Sequence, residues 1–364
     1  MHEKLRLAII GCGGISQAHG NASKARPVAS QAQFVACCDV REDAAKGWAA
    51  QHSPQAAAYT DYEQMIREQS LDGVLLATWP NQHREQVERC LSLGIKNILC
   101  EKALTLTGQE AAEMWRLTRS AKAFMMEGFM YRHHPVIRRM EALIAGGEIG
   151  AVDNIRAEFG WYQWPAEALK VPREQRDWRL RRECGGGVPY DATCYAVNAC
   201  GHFARSLPTR AMASGTEDKA FDVLMRLFGI IDYANGVNGY VGSSHEQQFV
   251  QELQIQGAGG HLFLPLAWTI YDEVTLQRRH AEGWAHVLVD EFRIGKADSY
   301  ALQLENFIAV IQGRAKPVLP LTQSVVNTYV IEALVTSALA REPVDIRIPA
   351  DVAAEFGQVM EERP

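Results

Sequence analysis

The chain has 364 residues, 47% of them hydrophobic and 22% charged, which is the make-up of a water-soluble globular protein too long for one ordinary core. No apolar run approaches the roughly 18 residues needed to cross a bilayer, and a formal charge of −6 argues against a general nucleic-acid surface. The apolar run after Met1-His2-Glu3-Lys4 is too short for a signal-peptide core, so a cytoplasmic protein is expected. The eight cysteines (12, 37, 38, 90, 100, 184, 194 and 200) form no C-x-x-C pair and no zinc-spaced cluster. The expectation is reduced thiols and no metal, with Cys184 and Cys194 read either as packing residues or as modifiable thiols.

In chain order, 5–10 is predicted as a strand, 14–25 as a helix, 33–38 as a strand and 41–51 as a helix. A short helix over 62–68 leads to a strand at 73–77 and a helix at 82–93, with Gly94 placed to end it. A strand at 98–100, a helix at 107–121 and a strand at 124–126 follow. Strand and helix alternating over short joints imply a parallel sheet covered by helices. A helix at 133–145 comes next, and then the texture changes. Period-two segments at 152–159, 209–216, 221–231, 247–256, 261–264 and 285–290 predict a large, mostly antiparallel sheet. Asn235-Gly236 and Asn238-Gly239 read as turns between strands. A helix starts near Asp191, and 299–312 and 323–340 read as terminal helices. The fold class is therefore α/β: an N-terminal doubly wound parallel sheet over 1–125, then a C-terminal α+β domain over 126–364.

Gly11-Cys12-Gly13-Gly14-Ile15-Ser16 follows the first strand and opens the first helix. In that context G-x-G-x-x-S is a dinucleotide turn. Gly11 allows the tight bend, Gly13 lets the backbone approach a pyrophosphate, and Ser16 is small where helix and strand pack. Gly14 and Ile15 begin the helix whose free N–H groups face the phosphates. Asp39 ends the second strand, where a carboxylate holds the adenosine ribose hydroxyls. This favours NAD over NADP, although Arg41 offers a 2′-phosphate a cation.

Ligands in such sheets sit beyond the carboxyl ends of the strands. That places Thr78 and Trp79 near the nicotinamide, with Trp79 either beside the ring or filling the loop. His83 starts the next helix and is a further candidate cofactor contact. Glu101-Lys102 ends another strand at the same edge, and a Lys there can lower the pKa of a substrate hydroxyl.

Gly185-Gly186-Gly187 precedes Asp191 and Tyr195, which stand four apart on one helix face, with Asn198 a turn further on. The glycines suggest close approach of backbone to ligand. Tyr195 can relay a proton, with Lys102 supporting its phenolate character. Asp191 either orients substrate or merely caps the helix, and Asn198 can offer an amide. The basic stretch Arg173, Arg176, Arg179, Arg181 and Arg182 is either a solvated set of ion pairs or a source of substrate contacts, Arg179 among them.

Taken together, the glycine turn, Cys100-Glu101-Lys102, Met130-Tyr131-Arg132-His133-His134-Pro135, the Gly185–Tyr195 segment and the late helices resemble the Gfo/Idh/MocA oxidoreductase family over nearly the whole chain. The resemblance implies a Rossmann domain followed by an α/β domain on a large open sheet that commonly makes a homodimer or homotetramer contact. It implies Lys102 and Tyr195 as the catalytic pair, Asp191 as a substrate-orienting acid and Arg132 as a pocket residue. The tyrosine looks like the aldose dehydrogenase, dihydrodiol dehydrogenase and glucose–fructose oxidoreductase branch. The implied activity is NAD(P)-dependent oxidation or reduction at a hydroxyl-bearing carbon of a sugar or polyol. The alternative is a glycosidase that oxidises its sugar transiently. Two departures stand out: Ala103 replaces the proline usual after Glu-Lys, and Trp79-Pro80 stands where Pro-Asn is common.

Overall fold

The computed structural model describes residues 3–162, 170–172, 177–270, 272–282 and 285–362. Arg173 and Arg176 of the basic stretch lie outside the described residues. The chain divides into two compact units: 1–105 with 110–133 and 298–321, and 106–109 with 134–297 and 322–364.

The first unit begins with β1 (Leu5–Ile10), α1 (Gly14–Ala22), α2 (Arg26–Ala29), β2 (Ala32–Cys38), α3 (Glu42–His52), β3 (Ala57–Tyr59) and α4 (Tyr62–Glu68). It continues with β4 (Gly73–Leu76), α5 (Pro80–Ser92), β5 (Asn97–Glu101), α6 (Gly108–Ser120) and β6 (Phe124–Gly128). The six strands are all parallel, in the order β3-β2-β1-β4-β5-β6. This is the doubly wound arrangement the alternation predicts, with its order reversing between β1 and β4. The predicted helix at 14–25 ends early, at Ala22, and a short turn of helix carrying Pro27 follows. The three-residue edge strand β3 is absent from the predicted elements.

The second unit carries α7 (Pro135–Ala145), β7 (Val152–Gly160), α8 (Cys194–Ala204), β8 (Pro208–Asp218), β9 (Val223–Tyr233), β10 (Asn238–Ser244), β11 (Val250–Gly257), β12 (Gly260–Leu264), β13 (Val274–Glu282) and β14 (Ala285–Ile294). After α9 (Ser299–Ile311), a helix of the first unit, it continues with α10 (Leu321–Ala340), β15 (Val344–Asp345) and α11 (Ala350–Glu361). The nine strands run β14-β13-β12-β11-β7-β10-β9-β8-β15, antiparallel except for β7 beside β10. Along β8 the alternation is clear: Ala211 and Ala213 are buried, whereas Arg210, Met212 and Ser214 face outward.

Two expectations need correction. Asn238-Gly239 is not a turn; it opens β10, and the turn is confined to residues 234–236. Gly239 is there for packing, because a Cβ would stand 3.1 Å from the Cys200 side chain of α8. Neither is 299–312 a terminal helix of the second domain. Leu304, Phe307 and Ile308 of α9 pack with Leu7, Ile9, Leu75, Leu99 and Met126, so α9 belongs to the first unit. Each such side chain contributes roughly 1.5–3 kcal/mol of burial. Helix α11 is absent from the predicted elements, although Val352, Phe356 and Met360 recur every four residues along its buried face.

Candidate active site

In the first unit the chain leaves β1 through Gly11 at φ +93°, and a Cβ there would lie 2.7 Å from the carbonyl oxygen of Ala77. Only glycine tolerates both conditions. Gly13 and Gly14 differ: among the described residues nothing lies within 4 Å of where their Cβ atoms would stand. Gly13 is the N-cap of α1 and no side chain caps that end. The start of α1 therefore has no capping side chain among the described residues and open space beside Gly13 and Gly14, as a phosphate cradle requires. Ser16 is wholly buried and donates to the Gly13 carbonyl at 2.5 Å, while Ile15 packs against the core.

Asp39 is tied to this turn from both sides. Its Oδ2 accepts from Cys12 N at 2.8 Å and its Oδ1 from Arg41 N at 2.9 Å, which holds a carboxylate beside the cradle. The Arg41 side chain is exposed. Cradle and acid together fit a dinucleotide.

At the ends of β4 and β5 the predicted residues form a braced pair of loops. Thr78 Oγ1 donates to Gln86 Oε1 at 2.6 Å, and Trp79 is 37% exposed at the start of α5. His83 is fully buried. Its Nδ1 lies 3.0 Å from the Leu104 carbonyl and its Nε2 3.2 Å from that of Thr78. Burial lowers the pKa of this imidazole, while the surrounding carbonyls act to raise it. Glu101 is buried, and its Oε2 accepts from Lys102 N at 3.2 Å. The Lys102–Ala103 peptide bond is cis. Arg132 is 2% exposed, in a 3₁₀ turn over Met130–His133.

Asp191, Tyr195, Asn198 and Arg179 come together in the second unit. Asp191 sits in a π turn, Pro189–Thr193, that runs directly into α8, and irregular turns of this kind are frequent at functional sites. It does not act as a cap: its Oδ2 accepts from Arg179 Nε at 2.6 Å and lies 3.4 Å from His245 Nε2. Asp191 and His245 are buried, and the Arg179 side chain is 28% exposed. Burial alone would lower the Arg179 guanidinium, but Asp191 and Asp177 outweigh it and hold the pKa above its ordinary value.

Gly186 and Gly187 serve the chain itself. A Cβ on Gly186 would lie 2.7 Å from main-chain atoms of Arg179 and Arg181, and one on Gly187 would lie 2.6 Å from the Leu224 carbonyl. The tight reversal they permit, closed by Gly187 N donating to Arg179 O at 2.7 Å, sets Arg179 beside Asp191. Tyr195 is 5% exposed, with the Phe159 ring edge-on at 5.2 Å and Trp268 at 6.1 Å. Asn198, one turn along α8, is fully buried. Cys184 and Cys194 are buried as well.

The structure thus places the residues predicted to hold the cofactor, with Lys102, in one unit, and Asp191, Tyr195, Asn198 and Arg179 in the other. Sequence reasoning missed His245 and His19. His245 directly follows β10, and a polar residue at a strand end is its only sequence signal. His19 lies three residues beyond Ser16 on the first helix and contacts Glu101 at 2.7 Å. Among the described residues no helix is long and apolar enough to cross a membrane.

Comparison with known proteins agrees with this architecture. D-xylose 1-dehydrogenase (NADP(+)) 2 of Haloferax volcanii is 28% identical over 281 residues, which is 77% of this chain and 82% of that protein. Trans-1,2-dihydrobenzene-1,2-diol dehydrogenase of Bos taurus is 26% identical over 352 residues, covering 95% and 99%. A crystal structure of a 3-ketoreductase from Actinomadura kijaniata, in complex with NADP and TDP-benzene, superposes with a TM-score of 0.80. It is 21% identical and covers 92% of this chain and 98% of that one. Residues 5–129 match the NAD-binding Rossmann fold of one oxidoreductase family, and residues 137–263 match its C-terminal domain. The chain belongs to the Gfo/Idh/MocA oxidoreductase family.

Proposed function

We propose that this chain is an NAD(P)-dependent oxidoreductase acting at a hydroxyl-bearing carbon of a sugar or related polyol. The observation that carries the reading is the uncapped start of α1, where Gly13 and Gly14 border open space beside a fixed carboxylate. The names of the relatives, a xylose dehydrogenase and a diol dehydrogenase, support the substrate class. When bound, the nicotinamide supplies the two-electron acceptor or donor. Tyr195 takes the proton of the substrate hydroxyl in oxidation and returns it in reduction. Its aromatic walls, Phe159 and Trp268, keep water from the phenol. Lys102 favours the ionised form of a substrate hydroxyl. Asp191, held by Arg179 and His245, orients a second hydroxyl, and Asn198 supports the same helix face.

Arg179 is already neutralised by Asp191 and Asp177, so the reading is of an uncharged substrate. Asp39 favours NAD by repelling a 2′-phosphate. The exposed Arg41 and the NADP(+) in a relative's name mark where NADP would gain. The glycoside-cleaving alternative draws no support from the relatives, whose names describe dehydrogenation and reduction.

We also read the chain as a homo-oligomer formed through the second sheet. Met212, Ile230 and Tyr240 are exposed at directly paired positions of β8, β9 and β10, with Phe228 nearby. A monomer in sedimentation would overturn that.

One experiment tests the activity: D-xylose, other aldoses and trans-diols are each assayed with NAD and with NADP at the reduced-nicotinamide absorbance. Lys102→Ala and Tyr195→Phe are each expected to lower kcat at least ~100-fold. Wild-type turnover in both variants would overturn the assigned roles. Absence of turnover with every sugar and diol would overturn the reading.

A further inference from the structure

Beyond the residues assigned above, we propose that His19 is a positioning residue that, through Glu101, fixes the main chain of Lys102 to the helix that receives the dinucleotide phosphates. The inference rests on Lys102 acting at the substrate, as proposed above. His19 lies on α1, five residues past Gly14, and is 1% exposed. Its Nε2 donates to Glu101 Oε1 at 2.7 Å, and the other oxygen of the same carboxylate accepts from Lys102 N at 3.2 Å. One buried carboxylate therefore joins α1 to the first residue beyond β5.

Two neighbours frame the pair, one beside the carboxylate and one beside the imidazole. Gly128, on the adjacent strand β6, leaves room for it, since a Cβ there would stand 3.0 Å from Glu101 Oε1. Tyr300 of α9 packs edge-on against the His19 ring, at 5.5 Å between centroids and 84° between planes. The ring's other nitrogen, Nδ1, is buried and has no hydrogen-bond partner among the described residues. A ring placed only for packing needs no carboxylate at 2.7 Å from its Nε2. The contact with Glu101 is what the position is built around. Through Tyr300, α9 also supplies a wall beside the imidazole. Helix α1 thus has two jobs: its N-terminus receives phosphate, and its second turn sets the lysine loop at a fixed place relative to it. A displacement of about 1 Å at such a loop costs on the order of 100-fold in rate.

The test uses the full-length protein with His19→Ala, His19→Gln and Lys102→Ala. Three readouts are taken: NADPH and NADH affinity by tryptophan fluorescence, hydrogen exchange over 98–106, and turnover of the best sugar or diol from the screen above. His19→Ala is expected to lower kcat about 10- to 100-fold and speed exchange at the Lys102 amide. Cofactor affinity should stay within about threefold of wild type. His19→Gln, whose amide nitrogen reaches the Nε2 position, is expected to recover most of the rate. Wild-type kcat in His19→Ala would overturn the proposal, as would a His19→Gln no better than His19→Ala. So would loss of cofactor affinity in step with kcat, which would mark a purely structural role. If His19→Ala does not fold, His19→Gln decides alone: a rate near wild type with unchanged exchange supports the proposal, and a collapsed rate overturns it. Undiminished turnover in Lys102→Ala would instead sink the assignment of the lysine, a separate failure.

Discussion

The two glycine clusters look alike as sequence and do opposite things. At 13 and 14, hydrogen replaces a side chain and nothing fills the space beyond it. At 186 and 187, the space a side chain would need is taken by the protein's own main chain, from 179–181 and from Leu224. The first cluster leaves a helix end without a capping group, which suits a ligand that carries negative charge. The second closes a reversal that brings a guanidinium to a buried carboxylate, so its polar groups are satisfied from within. A glycine run therefore announces close approach without saying whether the approaching group is foreign or native.

The largest expected effect follows from the filled cluster. Gly187→Ala places a methyl 2.6 Å from the Leu224 carbonyl at a backbone with φ +90°. Strain and overlap together are expected to cost about 3 kcal/mol or more. Thermal or urea unfolding should show a large loss. An alanine variant as stable as wild type would mean that the reversal is not held by these contacts.

The next effect is a pH dependence in the second unit. His134 begins α7, where its Nδ1 accepts from Val136 N at 3.2 Å, and burial pushes its pKa down to about 4 from 6.5. The folded protein therefore holds this ring neutral, while the unfolded chain takes up a proton below pH ~6.5. Stability from this group is complete above pH ~6.5 and is lost as pH falls toward 4, by on the order of 2 kcal/mol. His134→Asn keeps an acceptor at the helix start and removes the titration. Its stability profile between pH 6.5 and 4 is expected to be flatter than that of wild type, and an identical slope would assign the acid loss to other groups.

Much of this was legible in advance, for reasons visible in particular residues. The parallel sheet shows in the sequence because several strands are short apolar runs ended by a glycine or an acid, as at Ile10-Gly11 and Cys38-Asp39. Asn238-Gly239 misleads because a glycine needed for the close approach of Cys200 is written the same way as a turn glycine. Strand β13 is obscured by Gln277, Arg278 and Arg279, whose charge and polarity mask the burial of Val274 and Leu276. The membership of α9 in the first unit is a matter of topology, and no local pattern records it. His19 and His245 are single polar residues whose importance lies in what they face, and facing is a property of the folded chain.

The smallest expected change in stability tests the open cluster. Gly13 has φ −79° and ψ −160°, which alanine adopts readily, and an added methyl meets no atom within 4 Å. Gly13→Ala therefore loses only the slight preference for glycine over alanine at a helix start, about 0.5 kcal/mol. The same methyl stands where a pyrophosphate must approach the main chain, so NADH and NADPH affinity is expected to fall at least about tenfold. Gly187→Ala should reverse the pattern, losing the fold before any binding defect can be separated from it. If Gly13→Ala binds dinucleotide as wild type does, the space above α1 is not where the phosphates lie, and the contrast between the two clusters reduces to one of packing alone.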